Sequence, residues 1–151
     1  MLPTTDRFET VMAHFLNDLT KRKCLTVSPD APIERVLSTL SSKSIGALVV
    51  QNKQGIVVGI ISERDIIHSL AERKSLDGLV VDDMMTRKVI SIEPNSSSSE
   101  IMKIMTEKKL RHLPIISKNN LIGIVSIGDV VQHLIEKYHL EAEQIRSFIS
   151  Q

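Results

Sequence analysis

Two stretches of the chain share one pattern of apolar and polar positions. Residues 59–65 read G-I-I-S-E-R-D and residues 123–129 read G-I-V-S-I-G-D. In each stretch, apolar residues lead to a serine, an aspartate follows three positions later, and an apolar run at helical spacing comes next. The pattern predicts a buried strand that ends at the serine, where a helix begins. The Ser-x-x-Asp spacing is a shortened form of the capping box found at helix N-termini.

A helix start of this kind also has a second interpretation, as a binding site. Free backbone N–H groups, a hydroxyl and a carboxylate lie together there and can face a ligand. The capping interpretation and the binding interpretation are compatible, so both stay open at this point.

The repetition extends beyond these motifs. Residues 25–29 correspond to residues 90–94, and each segment is extended and closed by a proline. A helix follows in each copy, because Pro32 suits a first helical turn and Ser97 with Glu100 makes a capping box. The apolar positions of these two helices are Ile33, Val36, Leu37 and Leu40 in the first copy and Ile101, Met102 and Met105 in the second.

After each helix comes an apolar segment typical of a strand buried on both faces, at residues 45–50 and 113–116. Polar turns at residues 52–55 and 118–120 contain glycine or asparagine, which adopt positive φ readily. A second strand then leads into the serine motif. Each copy therefore predicts strand, helix, strand, strand, helix over roughly 45 residues, within the range of known structural repeats.

Helical periodicity predicts two further elements at the ends of the chain. Residues 5–20 form an amphipathic helix, and the last helix of the second copy keeps an apolar stripe to the C-terminus. The stripe consists of Val131, Leu134, Ile135, Tyr138, Ala142, Ile145 and Ile149. One short repeat does not need so long an apolar face. We therefore expect it to pack against the N-terminal helix, a second copy of the chain, or both.

Composition narrows the function classes. The chain has 151 residues, which suits one domain or two small repeats sharing a core. Its net charge of +1 provides no global field for nucleic acid or an anionic membrane, and 3% aromatic content disfavours base-stacking platforms. No apolar run has the length of a membrane span, and the lone Cys24 excludes an internal disulfide. These features predict a soluble protein of the cytoplasm.

The motifs resemble those of a tandem pair of cystathionine-β-synthase (CBS) domains, a Bateman module, and in particular small stand-alone bacterial CBS pairs. Besides the serine motifs, the resemblance rests on T-V-S-P at 26–29, I-G-A-L-V-V at 45–50, V-x-D-x-M-T at 81–86 and R-H-L-P at 111–114. It implies an α/β fold of two βαββα repeats related by a pseudo-two-fold axis and commonly dimerised. The implied divisions are an N-terminal helix (1–23), repeat 1 (24–76), a linker with repeat 2 (77–136) and a C-terminal helical extension (137–151).

CBS pairs typically bind adenosine-containing ligands between the repeats, so the resemblance implies AMP, ADP, ATP or NAD(H) as a regulatory ligand. A ribose diol suits a carboxylate, which favours Asp65 and Asp129, whereas phosphate suits Ser62, Ser126 and nearby helix N–H groups. Adenine needs an apolar slot edged by backbone donors and acceptors. The complete set of expected ligand-binding residues is Thr26, Val27, Gly46, Ala47, Ser62, Arg64, Asp65, Ser91, Ile92, Arg111, His112, Leu113, Pro114, Ser126, Gly128 and Asp129.

The two copies differ at corresponding positions. Gly46-Ala47 in the first copy is replaced by Arg111-His112 in the second, and Glu63-Arg64 by Ile127-Gly128. The second copy is therefore expected to be the better equipped for phosphate, and the two sites to differ in affinity or ligand.

Catalysis has no support in the sequence, since the five histidines lack metal-ligand spacing and no catalytic motif is present. We therefore expect a protein that is not an enzyme. The favoured hypothesis is a sensor that signals ligand binding to an unknown partner protein. The alternative is a structural or interaction protein built on a CBS-pair dimer. A weaker third hypothesis is nucleic-acid binding through Lys21–Lys23, Lys108, Lys109 and Arg111.

Overall fold

The computed structural model describes residues 15–150, which form two compact units. The first unit comprises Cys24–Ile90 and Lys118–Leu121. The second comprises Ser91–Ser117, the residues from Ile122 onward, and the described residues up to Lys23. Each unit corresponds in the main to one copy of the repeat. Of the N-terminal helix predicted at 5–20, residues 15–21 are helical (α1), and the remainder lies outside the described residues.

The first unit places two helices on a three-stranded sheet. Its elements are β1 (Thr26–Val27), α2 (Ile33–Lys43), β2 (Ala47–Gln51), β3 (Val57–Ser62), α3 (Glu63–Arg73) and a 3₁₀ turn at Val81–Asp83. β1 runs parallel to β2, and β2 pairs antiparallel with β3. The central strand β2 is buried on both faces, as its apolar sequence predicted. The core of this unit is centred on Ile33, Val36, Leu48, Val50, Ile61 and Val81.

One position predicted for the buried face of α2 is wrong. Leu37 is 41% exposed, while Ile33, Val36 and Leu40 are buried. Residues in a helix are separated by about 100°. Leu37 therefore lies at the edge of the stripe formed by the other three, which explains its exposure.

The second unit contains α1, α4 (Ser98–Lys108), β4 (His112–Ser117), β5 (Asn120–Ser126) and α5 (Ile127–Ile149). Ser97 is the N-cap of α4 and exchanges capping hydrogen bonds with Glu100, which confirms the predicted capping box. The fully buried side chains include Ile101, Leu113, Ile115, Val125 and Val130. Within the described chain, no helix is both long enough and apolar enough to span a bilayer.

The strand predicted at residues 90–94 is reduced to a single bridge. Ile92 pairs in parallel with Ile115, donating its N–H to Pro114 O and accepting from Ile116 N–H, both at 2.9 Å. In a parallel ladder the next bonds on either side would need N–H groups from residues 94 and 114. Both are prolines, so neither can donate and the ladder ends after one residue.

In the described part of the chain, α1 contacts α5 away from the predicted stripe. The ring of Phe15 stacks on His133, with centroids 4.3 Å apart and an angle of 19° between the planes. His133 is only 3% exposed. The stripe residues Ile135, Tyr138, Ile145 and Ile149 are instead largely exposed. Whether residues 5–14 cover them stays a prediction, because those residues lie outside the described part.

Two corresponding glycines differ in their surroundings. A Cβ on Gly59 of β3 would lie 2.6 Å from Met85 Sδ and 3.0 Å from Thr86 O. Thr86 is fixed there because its N–H and O pair with Ile60 at 2.8 and 3.0 Å. A Cβ on Gly123 would meet its nearest atoms only at 3.4–3.5 Å. The segment at Met85–Thr86 therefore lies closer to β3 than the residues around Gly123 lie to β5.

We predict that Gly59→Ala lowers the free energy of unfolding by about 1–3 kcal/mol, because Met85 and the Thr86 backbone must move. The matched variant Gly123→Ala should change it little or raise it by up to about 1 kcal/mol, since alanine reduces the freedom of the unfolded chain. Urea unfolding of both variants measures the difference. Equal effects at the two positions would contradict the prediction.

His133 predicts a pH dependence of stability. Burial lowers the pKa of His133 below its ordinary value of 6.5, Glu136 opposes this shift and Lys137 adds to it. The unfolded chain therefore takes up the proton first, and the contribution of His133 to stability is complete above about pH 6.5 and is lost as the pH falls below it. Unfolding of wild type and His133→Gln from about pH 7.5 to about pH 5 should show the weaker dependence in the variant. Parallel curves would show that His133 is not responsible.

Candidate ligand-binding sites at two helix N-termini

The first motif, Ser62–Asp65, forms a reciprocal capping box at the start of α3. Asp65 Oδ2 accepts from the Ser62 N–H at 2.8 Å and from the Ser62 hydroxyl at 3.0 Å. The Asp65 N–H in turn donates to Ser62 Oγ at 3.4 Å. These bonds satisfy donors that the first helical turn leaves without partners, and they hold the carboxylate in one orientation.

The second motif, Ser126–Asp129, repeats this arrangement at the start of α5. The three corresponding distances are 2.9, 2.9 and 3.1 Å. Both aspartates are partly buried. The capping interpretation of the two motifs is thus confirmed in both copies.

The backbone next to each motif is provided by the preceding strand segment. The Glu63 N–H donates to Gly46 O at 3.0 Å, and the Ile127 N–H donates to Arg111 O at 2.8 Å. The Gly46-Ala47 and Arg111-His112 pairs are therefore brought beside their motifs, as expected. The expectation of free N–H groups needs correction, however. The first helical N–H at each site donates to the carbonyl of Gly46 or Arg111, and the third donates to the serine hydroxyl oxygen. Both groups therefore already have protein partners.

The second carboxylate oxygen has a different neighbour at each site. Thr86 Oγ1 donates to Asp65 Oδ1 at 3.0 Å. At the second site, Arg22 Nη2 lies 3.1 Å from Asp129 Oδ1. The sequence predicted neither Thr86 nor Arg22 as a neighbour of these motifs, and it offered Arg22 only within the basic segment 21–23 of the nucleic-acid hypothesis. One signal in the sequence could have indicated them. Each residue lies a few positions before the start of a repeat copy, so the two occupy similar places in the repeat pattern.

The other expected site residues fall into two groups. Arg64 and Gly128 are the exposed second residues of α3 and α5, and Thr26, Ser91 and Arg111 are also exposed, with His112 partly so. By contrast, the side chains of Val27, Ala47, Ile92, Leu113 and Pro114 are buried. Val27 belongs to the core of the first unit. A role of the buried group in binding therefore depends on their main-chain atoms.

Formal charge distinguishes the two sites. At the first motif, Glu63, Arg64 and Asp65 together carry one net negative charge. At the second motif, Asp129 with Arg22 and Arg111 carries one net positive charge. The difference in charge between the two sites is therefore larger than the repeat residues alone predicted, because Arg22 lies outside both repeat copies and adds a positive charge at the second motif. An anion meets less repulsion at the second motif.

Comparison with known proteins assigns the family. The model of the CBS domain matches residues 16–72 and 81–136. The chain belongs to the CBS domain family. A crystal structure of a CBS-domain-containing protein of Agrobacterium tumefaciens matches with a TM-score of 0.76 and 36% identity, covering 81% of this chain and 91% of that one. The match confirms the two-repeat α/β fold predicted from the motifs.

Two further relatives broaden the comparison. The mitochondrial CBS domain-containing protein CBSX3 of Arabidopsis thaliana is 31% identical over 130 residues, which is 83% of this chain and 63% of that protein. This chain thus spans less than two thirds of that relative. The crystal structure of CBSX2 in complex with AMP matches with a TM-score of 0.69 and 26% identity, covering 81% of this chain and 96% of that one.

Proposed function

We propose that this CBS pair is a regulatory module that binds an adenosine nucleotide and signals to a partner protein. The observation that carries the proposal is the orientation of the Asp65 and Asp129 carboxylates and the remaining acceptor capacity of their Oδ1 atoms. In both units the capping box orients the carboxylate, and its Oδ1 has a side-chain neighbour, the Thr86 hydroxyl at the first motif and the Arg22 guanidinium at the second. A carboxylate has about four acceptor positions, so Oδ1 retains capacity for a further donor such as a ribose hydroxyl.

The known complex of CBSX2 supports an adenosine ligand, since that protein binds AMP. Among AMP, ADP, ATP and NAD(H), the positive charge at the second motif favours a ligand that carries phosphate there. The proposal contains no catalytic step. The lone Cys24 suits a reducing compartment, for which we propose the cytoplasm.

We predict that Asp129→Ala weakens AMP binding at its site about 10- to 100-fold, because a charged hydrogen-bond partner of the ribose is lost. Asp65→Ala should act likewise at the first site, and the double variant should lose both. Isothermal titration calorimetry measures the affinities. Unchanged AMP binding in a folded double variant would exclude a ribose role for these aspartates.

Glu100→Ala is the matched control, because Glu100 occupies the same capping position in α4 but lies at no predicted site. Loss of the capping box should cost a similar stability in each case, about 0.5–2 kcal/mol. AMP affinity should fall only in the aspartate variants. A comparable loss of affinity in Glu100→Ala would mean that helix stability, rather than ligand contact, explains the effect.

We further propose that the protein is a homodimer formed in part by α5. One face of this helix packs within the second unit through Val130 and His133, whereas the stripe residues from Ile135 (63% exposed) to Ile149 (77%) are largely exposed. Apolar stripes of this length on a monomer favour association. A second copy brings the same stripe, so the surface is self-complementary. This surface is also what favours the alternative function, a structural or interaction protein.

The double substitution Ile145→Lys with Ile149→Lys is expected to shift the protein from dimer to monomer, because charges on the stripe oppose its burial. Light scattering coupled to size-exclusion chromatography reports the mass. Glu143→Lys with Ser147→Lys adds charge on another face of the same helix and should leave the dimer intact. A wild-type protein that is monomeric at micromolar concentration would contradict the proposal.

A further inference from the structure

Arg22 reaches the second motif from outside the two repeat copies. It follows α1 directly, and its guanidinium makes an ion pair with Asp129 Oδ1 at 3.1 Å. The side chain of Arg22 is 57% exposed and that of Asp129 is 21% exposed. Ion pairs with this degree of exposure contribute little to stability. The guanidinium can therefore leave Asp129 at small cost when a better partner is present.

The first motif provides a matched comparison. Arg87 stands three residues before Ile90, as Arg22 stands three residues before Leu25. Arg87, however, pairs with Asp82 at 2.9 Å and also donates to the Asp82 carbonyl at 3.1 Å. The carboxylate of the first motif accepts from the neutral hydroxyl of Thr86 instead. Equivalent arginines thus face different partners, and among residues 15–150 it is the aspartate of the second motif that forms an ion pair with an arginine.

Arg22 and a ribose hydroxyl require the same atom. Asp129 Oδ2 already accepts from the N–H and the hydroxyl of Ser126. Two of the roughly four acceptor positions are thus used, and a vicinal diol that donates both hydroxyls to this carboxylate needs both positions of Oδ1, including the one that Arg22 holds. A displaced guanidinium is a planar, permanently charged donor that matches phosphate. A ligand with phosphate next to its ribose offers Arg22 a new partner, and an uncharged nucleoside offers none.

We propose that Arg22 makes the second motif selective for adenosine ligands that carry a 5′ phosphate. In the empty protein it occupies Asp129, and on binding it moves to the phosphate while a ribose hydroxyl takes its place. The first motif lacks this residue and discriminates less between adenosine and its phosphates. The inference rests on the function proposed above and specifies the ligand chemistry at one of its two sites.

The test compares adenosine and AMP by isothermal titration calorimetry at constant ionic strength, in protein carrying Asp65→Ala so that the second motif is measured alone. Arg22→Gln removes both the competitor for Asp129 and the partner of the phosphate. Adenosine should therefore bind equally well or better, AMP should bind more weakly, and the preference for AMP should fall about tenfold. Arg22→Lys should retain part of the preference, and Arg87→Gln all of it.

The outcomes separate this inference from the function on which it rests. If Arg22→Gln changes both affinities by the same factor, Arg22 is a structural residue and the inference is overturned while ligand binding stands. The same holds if the protein with Asp65→Ala binds neither compound although wild type binds AMP. If wild type binds neither compound, the proposed function fails and the inference with it. Melting temperatures without ligand establish that each variant is folded.

Discussion

The hydrogen bonds between a serine and the aspartate three residues later determine how each unit is built. They end a buried strand and begin the following helix within one residue, because the serine N–H and hydroxyl and the aspartate N–H are all satisfied locally. The strand before the serine pairs with the preceding strand, and the carbonyl of the residue just before that preceding strand accepts from the first helical N–H. One local constraint thereby positions two strands, a helix and the partly buried carboxylate at their junction.

That carboxylate combines a structural role with the capacity for binding. One oxygen is saturated by the cap, and the second faces donors that vary between the copies. The cap therefore uses one oxygen of this side chain, and the recognition proposed above uses the other. A repeat can keep its fold while its neighbours change the charge around the second oxygen, which is how two similar motifs acquire opposite formal charge.

The copies also differ in how closely another part of the chain packs against the strand that precedes the serine in each unit. In the first unit the segment at Met85–Thr86 lies against Gly59 and extends the sheet by a bridge to Ile60. In the second unit two prolines limit the parallel ladder to Ile92, and the chain beside Gly123 lies farther away. Such differences concern the main-chain N–H groups that are available for pairing and the space beside each glycine. They alter the local packing without changing the order of the elements.

The sequence by itself determined the order of the helices and main strands, the capping boxes and the membership of the family, because periodicity and Ser-x-x-Asp spacing act over a few residues. The strand predicted at residues 90–94 is the exception, since it forms a single bridge. It also indicated which backbone segments would flank each motif, from their recurrence in both copies. It did not determine the C-caps at Ser44, Lys74 and Lys109, which adopt positive φ without being glycine. Nor did it determine the exposure of Leu37 or the pairing of Arg22 with Asp129 and of Thr86 with Asp65. Only the tertiary structure decided the exposure of Leu37 and these two pairings, since each depends on how residues distant in sequence lie around it.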